Sequence, residues 1–403
     1  MSGTFRKLTI DDLEVEGLRV LVRVDFNVPL EEEEVTDATR IEATLPTIEK
    51  LVEGGGRLAL MSHLGRPDGE RDPSMSLEPV AVHLAGLLGR EVVFVPDCIG
   101  AAAEEDVSLM EDGDVLLLEN LRFHEGEQVN DPEFAAALAR MGDVYVNDAF
   151  GTAHRAHAST EGVTRHFKQR AAGYLMAREL EYLGAALQEP ARPFAAVLGG
   201  AKISGKIDVI RALREKVDHL FIGGGMAFTF FKAKGLEVGR SLVEEERVEM
   251  AAELLEVSER GEGAPIHLPP DVVAAAELEE GADHRVVKAE EIPSDLAGYD
   301  IGPATLEEWR PLLLEAGTIV WNGPMGVFEV PPFDGGTERL GRVIAEATEG
   351  GALSIIGGGD SAAAVARAGL TDRMSHVSTG GGASLEFLEG KTLPGVAALS
   401  DRE

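Results

Sequence analysis

The chain alternates short apolar runs with longer segments of helical periodicity, and this alternation limits the folds that it can adopt. Between the runs, apolar residues recur at helical spacing over Ala38–Glu53, Leu77–Leu88 and Pro132–Met141. Strands that alternate with helices form parallel sheets covered on both faces, so the sequence predicts an α/β fold. The predicted strands are Arg19–Phe26, Arg57–Ser62, Glu91–Val95, Val115–Asn120, Asp143–Asp148, Phe194–Gly200, His219–Gly225, Ile266–Pro269, Thr318–Gly323 and Leu353–Gly359.

The two halves of the chain are separated by an amphipathic segment, Gly173–Leu187, which is followed by Pro190 and Pro193. A chain of 403 residues is long enough for two or three domains, each with its own core. We therefore expect two Rossmann-like three-layer lobes with mainly parallel sheets, joined by a connector helix. The expected boundaries are 1–172 for the first lobe, 173–188 for the connector and 189–390 for the second lobe.

Arginine and histidine gather at the ends of the predicted strands in the first half. Ligands bind at the carboxyl ends of strands in open parallel sheets, and guanidinium groups bind carboxylate and phosphate through paired hydrogen bonds. A single arginine often forms only a surface ion pair, but this recurrence predicts a site for a small, multiply charged anion. His154 and His157 have metal-ligand spacing, although no third ligand is evident beside them. The whole set is Arg40, His63, Arg66, Arg122, His154, Arg155 and His157.

The predicted strands of the second half end in glycine. Glycine lets the backbone approach a phosphate closely, and a following helix supplies free N–H groups. The run Gly357–Ala362 (GGGDSA) even fits the dinucleotide pattern G-x-G-x-x-A. Asp360 would repel a pyrophosphate unless a cation lay between them, which favours a magnesium nucleotide over a nicotinamide dinucleotide. The glycine runs are Gly199-Gly200, Gly223–Gly225, Gly357–Gly359 and Gly380–Gly382.

The stretch Gly199–Asp208 (GGAKISGKID) fits most of the P-loop pattern G-x-x-x-x-G-K. A P-loop then needs Ser or Thr to bind magnesium, and this chain has Ile207. The stretch is therefore not a complete P-loop. Lys202 and Lys206 are four residues apart and would share one face of a helix.

The chain is strongly acidic, with 71 Asp and Glu against 37 Lys and Arg and a formal net charge of −34. Only 10 of the basic residues are lysine. Such a surface repels nucleic acid and anionic lipid, so neither is an expected partner. It also repels itself unless salt screens it, which predicts adaptation to a salt-rich cytoplasm rather than an ordinary acidic protein. The acidic run Glu31–Glu34 is expected to form a solvated turn.

Cysteine usage and the N-terminal residues narrow the cellular context. The only cysteine, Cys98, excludes an internal disulfide, and its surroundings predict a small buried thiol. The first residues, MSGTFRKLTIDD, have no apolar signal region, and no later run is long enough to span a bilayer. A cytoplasmic protein without membrane contacts is expected.

The motifs of the chain resemble those of one family, phosphoglycerate kinase, nearly from end to end. With its acidic composition, the chain resembles a halophilic archaeal member of that family. Ten long motifs occur in the order of the family. They are RVDFNVP (Arg23–Pro29), TR (Thr39-Arg40), SHLGRP (Ser62–Pro67), LLLENLRF (Leu116–Phe123), NDAFGTAHRAHAS (Asn147–Ser159), LGGAK (Leu198–Lys202), GGGMAFTF (Gly223–Phe230), WNGPMGVFE (Trp321–Glu329), GGGD (Gly357–Asp360) and VSTGGGASLE (Val377–Glu386).

The resemblance implies reversible phosphoryl transfer between 1,3-bisphosphoglycerate plus ADP and 3-phosphoglycerate plus ATP. The family motif centres on Lys202 and Lys206, so the resemblance implies a paired-lysine clamp in which Gly205 is incidental. The two lysines would neutralise the nucleotide phosphates and, with Arg40, the phosphoryl group in transfer. The residues that would hold the phosphoglycerate are Asp25, Phe26, Asn27, Arg40, His63, Leu64, Gly65, Arg66, Arg122 and Arg155.

For the nucleotide, the resemblance implies that Glu329 accepts hydrogen bonds from the ribose. Phosphate and Mg²⁺ would bind at a helix N-terminus, with Asp360 as the metal ligand. Gly224 and Gly380–Gly382 are further candidates, for the adenine side and for a phosphate site of the closed state. The phosphate-binding residues would be Lys206, Gly358, Gly359, Asp360 and Ser361.

The implied chemistry suits these residues, because the acceptor carboxylate is already ionised and needs no general base. Charge stabilisation and in-line positioning are sufficient. Substrates on separate lobes imply hinge closure. The tail 391–403 would pack on the first lobe of a monomer. Ser361, where the family often has Thr, keeps the hydroxyl, whereas Glu31–Glu34 replaces a turn that commonly carries lysine.

Two other classes of function compete with the kinase. A nicotinamide dehydrogenase built on the GGGDSA turn is disfavoured by Asp360 and by the lack of an early G-x-G-x-x-G. A non-catalytic binding protein descended from the kinase is disfavoured because Arg40, Lys202, Lys206 and Asp360 are all retained.

Overall fold

The computed structural model describes residues 7–402, so predictions about residues 1–6 and 403 lie outside the described residues. The chain divides into two compact units, Met1–Glu181 with Thr392–Glu403, and Tyr182–Lys391. Each unit contains a six-stranded sheet of parallel strands. The predicted α/β fold with two parallel-sheet lobes is confirmed.

The sheet of the first unit has the strand order β5-β6-β4-β1-β7-β8. The strands of its centre are buried along nearly their whole length, as expected for strands covered on both faces. All the predicted strands of this half are present, and the short β8 was not predicted. Within the described part of the unit, the strands are β1 (Arg19–Arg23), β2 (Leu30–Glu31), β3 (Glu34–Val35), β4 (Arg57–Met61), β5 (Val93–Val95), β6 (Val115–Leu118), β7 (Val144–Asn147) and β8 (Arg170–Ala172).

The acidic run forms the tip of a small hairpin, in which β2 and β3 pair antiparallel. Glu32 and Glu33 have φ of 49° and 67° and are exposed. Two positive φ angles in a two-residue loop match the right-handed twist of a hairpin. The expectation of a solvated turn is confirmed.

The helices predicted for this half are present, and each begins and ends within two residues of its predicted bounds, whereas the two short helices Ala101–Ser108 and Glu125–Gln128 were not predicted. The connector helix starts with its backbone anchored, since the Tyr174 N–H donates to Thr47 Oγ1 at 2.9 Å and the Met176 N–H to Asp148 Oδ1 at 3.1 Å. The helices are α1 (Thr39–Glu53), α2 (Glu78–Leu88), α3 (Ala101–Ser108), α4 (Glu125–Gln128), α5 (Pro132–Ala139) and the connector α6 (Tyr174–Gln188).

The parallel sheet of the second unit has the order β11-β10-β9-β15-β16-β17. Its central strands β9 and β15 are fully buried. The unit comprises β9 (Phe194–Leu198), β10 (His219–Ile222), β11 (Ile266–His267), β12 (Asp271–Ala275), β13 (His284–Lys288), β14 (Ala297–Ile301), β15 (Thr318–Asn322), β16 (Leu353–Gly357) and β17 (His376–Val377), and α7 (Ile207–Arg214), α8 (Met226–Ala233), α9 (Val248–Glu259), α10 (Pro303–Glu315), α11 (Gly335–Glu349), α12 (Gly359–Arg367) and α13 (Gly382–Leu388).

A second sheet in this unit was not predicted. It is antiparallel, with the order β13-β12-β14. Its strand β13 is mostly exposed, so the sequence carries little of the apolar pattern that identifies a buried strand. This sheet contributes one wall of the cavity described below.

The C-terminal residues return to the first unit. A short helix α14 (Pro394–Ala397) begins where the Gly395 N–H donates to the Ala153 carbonyl at 2.8 Å. The Leu8 N–H donates to the Ser400 carbonyl, also at 2.8 Å. Among residues 7–402, none of the helices combines the length and the apolar composition needed to cross a membrane.

Candidate active site

In the first unit, the strand register brings three strand ends to one edge of the sheet. Arg23, the last residue of β1, pairs with Met61 of β4 and Asn147 of β7. The segments that leave these strands therefore begin side by side, and they carry Asp25 and His63. Sequence reasoning predicted this edge as the anion site.

Arg23 is a residue of this edge that sequence reasoning did not select. Its side chain is 1% exposed, and its Nε donates to Ser159 Oγ at 2.9 Å. Its Nη2 lies 3.1 Å from His63 Nδ1. From the sequence alone, an arginine in a predicted strand is expected to face solvent, so its burial beside His63 was not anticipated. The signal that could have found it was an arginine between two valines, Val22 and Val24, in a strand predicted to be buried.

Arg40 is the second residue of α1 and faces the same edge. Its Nη1 donates to Asp25 Oδ2 at 2.9 Å, and the other oxygen of Asp25 lies 4.0 Å from His63 Nδ1. The Arg40 side chain is 38% exposed, so Asp25 orients it while leaving part of the guanidinium accessible. Such an arrangement suits a group that must reach an incoming ligand.

The loop residues of the first unit form a hydrogen-bonded frame around this edge. Asn27 Oδ1 accepts from the Gly65 N–H at 2.8 Å, and Arg122 Nη1 donates to the Gly65 carbonyl at 2.6 Å. The Phe26 N–H donates to Ser62 Oγ, while Leu64 is buried. Arg122 Nε is buried without a partner among the described residues. A buried donor of this kind favours a ligand that accepts its hydrogen bond.

The cationic charges of this edge act on one another. Burial, followed by the charge of Arg23, holds the pKa of His63 well below its usual value. Burial lowers the pKa of His157 to about 4 and that of Arg122 to about 10. A bound polyanion would relieve this repulsion, so the edge is suited to phosphate and carboxylate groups. The other cations that contribute are Arg40, Arg66 and Arg155.

Arg66 and Arg155 are exposed at this edge, and Arg155 Nε lies 3.1 Å from His154 Nε2. Neither His154 nor His157 belongs to a group of three potential metal ligands within the described range. The first unit therefore collects the predicted phosphoglycerate residues at one sheet edge, whereas the His-x-x-His pair gains no third ligand there.

The second unit aligns its strand ends in the same way. Asn322 of β15 pairs with Leu198 of β9 and Gly357 of β16. The glycine turns that follow these strands therefore meet at one edge. The Gly200 N–H donates to the Pro324 carbonyl at 2.8 Å, which holds two of the turns together.

Lys206 extends into this edge. Its Nζ donates to the Asn322 carbonyl and to Asn322 Oδ1, each at 2.7 Å. Burial lowers the pKa of this ammonium to about 8, although the nearby charge of Asp360 raises it. Asn322, which sequence reasoning did not select, thus fixes the position of Lys206, and it could have been found as the polar residue that ends a fully buried strand.

The prediction that Lys202 and Lys206 share one helical face is wrong. The helix α7 begins only at Ile207, because the glycine-rich turn before it keeps the backbone irregular. Lys202 is exposed, and its positive charge, against the effect of burial and after the hydrogen bonds from Ser204, helps to lower the pKa of Glu244. The Lys206 ammonium instead donates to Asn322. A side chain added at Gly205 would meet nothing within 4 Å, which agrees with the view that this glycine is incidental.

The helix α12 presents its N-terminus at the same edge. Gly358 precedes it with a φ of 89°, and Gly359 and Asp360 are exposed. Ser361 is fully buried, and its Oγ accepts from the Gly323 N–H at 2.6 Å. The Ser361 hydroxyl therefore holds the β15 turn, while the free N–H groups and the Asp360 carboxylate face outward.

A cavity of about 460 Å³ lies next to this edge. Gly224 borders it with a φ of +65°, and a Cβ there would lie 2.5 Å from the Gly200 nitrogen, so only glycine fits. Gly381 has a φ of 48° before α13 but is not among the cavity residues. The residues that line the cavity include Gly224, Tyr299, Gly326, Glu329 and Asp360.

Comparison with known proteins identifies similar chains over almost the whole length. A family model described as phosphoglycerate kinase matches residues 10–391. A phosphoglycerate kinase of Chlorobaculum tepidum is 56% identical over 98% of this chain and 100% of its own. The solved phosphoglycerate kinase of Coxiella burnetii is 42% identical, with a TM-score of 0.88 over 97% of this chain and 98% of that one. That of Pyrococcus horikoshii is 33% identical, with a TM-score of 0.86 over the same shares.

The expected resemblance to a halophilic archaeal member is not supported. Curated relatives at 55–56% identity come from Chlorobi bacteria. The acidic composition of the chain therefore did not identify its lineage.

Proposed function

The chain belongs to the phosphoglycerate kinase family, and we propose that its two sheet-edge sites divide the reaction between them. That reaction is reversible phosphoryl transfer between 1,3-bisphosphoglycerate plus ADP and 3-phosphoglycerate plus ATP. The observation that carries the division is the contrast between the two edges. One edge is dense in arginine, and the other combines a half-buried lysine with glycine turns and a carboxylate.

In the first unit, the arginines bind the phosphoglycerate. Arg122 offers its unpaired Nε, and the exposed Arg66 and Arg155 are free to reach a phosphate. Arg40, oriented by Asp25, contacts the phosphoryl group in transfer. Asp25, Phe26, Asn27, His63, Leu64 and Gly65 complete the site.

In the second unit, the nucleotide lies along the cavity and its phosphates reach the N-terminus of α12. Glu329 and Asp360 line one cavity, so the ribose and the phosphates of one ATP molecule have acidic and helix-terminal partners respectively. Lys206 neutralises the phosphoryl group, and the exposed Lys202 approaches it from the turn. Gly358, Gly359 and the Ser361 N–H supply backbone donors.

The donor set at Asp360 fits Mg²⁺, since Mg²⁺ binds through one or two carboxylates together with substrate phosphates. Asp360 is exposed in the first turn of α12, and its carboxylate would hold the ion. The ion would supply neutralising charge for the phosphoryl oxygens. Lys206 and the α12 N–H groups supply the rest.

The transfer needs no general base, because the carboxylate of 3-phosphoglycerate is ionised at neutral pH. The residues above therefore act by positioning and by charge stabilisation. In-line transfer requires reacting atoms about 3–3.5 Å apart. Because the two sites belong to different units, we include hinge closure in the proposal. The proposal also includes a cytoplasmic location and a monomeric state for the protein.

The assignment is tested by a coupled assay of 3-phosphoglycerate phosphorylation with MgATP, in dilute buffer and in multi-molar KCl. We expect turnover that requires both substrates and stops when Mg²⁺ is chelated. Circular dichroism on the same samples verifies folding. A folded protein that is silent under both salt conditions would contradict the assigned reaction.

The activity should also depend on pH through Lys206. Its pKa of about 8 means that its positive charge is present below this pH and is lost as the pH rises through it. We therefore expect kcat/KM for ATP, which reports the free enzyme, to fall above about pH 8. In Lys206→Arg the fall should move upward, because a guanidinium stays charged to about pH 12. An alkaline limb at the same pH in both proteins would assign it to another group.

We further propose that the protein requires salt for stability. A net charge of −34 repels itself over a Debye length of about 10 Å at 0.1 M salt but of only about 3 Å at 1 M. Circular dichroism should show unfolding in dilute buffer and recovery in multi-molar KCl. Sucrose, which favours the folded state without screening charge, is the control and should rescue far less. Full stability in dilute buffer would overturn the proposal.

A further inference from the structure

A cluster of three potential metal ligands lies outside the site described above. One oxygen of Asp97, the Cys98 sulfur and one ring nitrogen of His124 all lie within 4.8 Å of one another. Among the described residues, no other group of three or more His, Cys, Asp or Glu side chains has such spacing. Neither phosphoglycerate nor nucleotide binding uses any of the three.

The fold explains why these residues meet. The strands β5 and β6 are parallel neighbours, with Val95 opposite Leu118. Asp97 and Cys98 follow β5 after Pro96, and His124 follows the turn after β6. The cluster therefore joins two segments that leave adjacent strands at the same sheet edge. The pairing of β5 with β6 fixes where these two segments begin.

The spacing of the donors is close to that of a coordination sphere. His124 Nε2 lies 2.8 Å from Asp97 Oδ1. Ligand atoms around one tetrahedral Zn²⁺ are about 3.3–3.6 Å apart, given metal bonds of about 2.0–2.3 Å. For one ion to bind all three donors, the 2.8 Å pair would have to open by roughly 0.5 Å, and any pair at the 4.8 Å limit would have to close by roughly 1.2 Å. Asp97 is 43% exposed and His124 29%, so solvent reaches the cluster, whereas Cys98 is fully buried beneath it.

The donor types select the class of metal. One thiolate, one imidazole and one carboxylate suit a borderline-soft divalent ion such as Zn²⁺ and disfavour Mg²⁺, which prefers oxygen ligands only. Three protein ligands leave the fourth tetrahedral position to water. Arg71 Nη2 lies 3.9 Å from Asp97 Oδ2, whereas His124 contacts the other oxygen, Oδ1.

We propose that Asp97, Cys98 and His124 form a binding site for Zn²⁺ or a similar divalent ion, separate from the magnesium nucleotide site. On binding, the Cys98 sulfur forms a bond to the metal and releases its proton to solvent. His124 exchanges its hydrogen bond with Asp97 for a metal bond. Since His124 is two residues after Arg122, the ion would also tie the segment that carries this arginine to the turn after β5.

The test is Co²⁺ titration of the folded full-length protein, followed by absorption spectroscopy. A thiolate bound to Co²⁺ gives a charge-transfer band in the near ultraviolet. The chain contains 1 cysteine, so such a band can arise only from Cys98 and not from Co²⁺ at Asp360. We expect the band to appear, to vanish when Zn²⁺ is added, and to persist in excess Mg²⁺.

Variants distinguish ligands from neighbours. Cys98→Ser should abolish the band, and His124→Gln should weaken Co²⁺ binding by roughly tenfold or more. Arg71→Gln is the matched control, because it removes a partner of Asp97 that is not a ligand, and it should keep the band. Absence of the band from the folded wild-type protein would overturn the proposal, and so would its equal loss in Arg71→Gln. These optical readouts do not depend on kinase activity, so they can fail while the assigned reaction stands.

Discussion

Replacing Lys206 with methionine should lower kcat by about 10²-fold or more, a loss of about 3 kcal/mol of transition-state stabilisation. The ammonium is held by two hydrogen bonds to Asn322 at 2.7 Å, so it is already positioned and does not have to reorganise during transfer. Methionine keeps most of the side-chain volume and removes the charge. Steady-state kinetics at saturating MgATP and 3-phosphoglycerate measure the effect.

Lys234→Met is the matched control for this variant. Lys234 is exposed just after α8, and its loss should leave kcat nearly unchanged. If Lys206→Met raises KM for ATP but keeps kcat, the lysine contributes only to ground-state binding. That outcome would remove Lys206 from the proposed catalytic group.

Arg40→Ala should have an effect of similar size, with kcat lowered by about 10²-fold. The Arg40 guanidinium is oriented by Asp25 at 2.9 Å and remains 38% exposed, which allows it to contact the phosphoryl group as charge develops. An arginine that only binds substrate would instead change KM for 3-phosphoglycerate. Separate measurement of kcat and KM decides between these roles.

Arg57→Ala provides a control with a similar local environment. Arg57 also pairs with an aspartate, Asp112, at 2.8 Å, but it starts β4 and therefore lies at the opposite end of the sheet. Its removal should leave both kinetic constants close to those of the wild type. Equal losses in Arg40→Ala and Arg57→Ala would point to general destabilisation of the unit.

The parallel sheets were predictable because their strands are buried on both faces and read as continuous apolar runs. The sheet formed by β12, β13 and β14 was not, since β13 (HRVVK) has mostly exposed side chains. Its pairing depends on contacts between distant segments, which a local pattern does not encode. The short edge strands β8 and β17 have too few residues to show a period.

Within the candidate site, residues at strand ends were predictable from their type. Arg23 was missed because it lies inside the predicted strand Arg19–Phe26, whereas the strand in the structure ends at Arg23 itself. The helical view of Lys202 and Lys206 failed because spacing of four residues indicates a shared face only where a helix exists, and α7 starts after both lysines. Ser361 was selected for its hydroxyl, which the Gly323 N–H already occupies.

The return of the C-terminal residues to the first unit has a consequence for synthesis on the ribosome. The segment that pairs with Leu8 and Ala153 is translated only after the whole of the second unit. The first unit therefore begins to emerge before the second unit and is completed after it. Until the segment with Gly395 and Ser400 has been translated, Ala153 and Leu8 lack the hydrogen-bond partners that this segment provides. An interrupted nascent chain would lack this closure, even with every site residue already made.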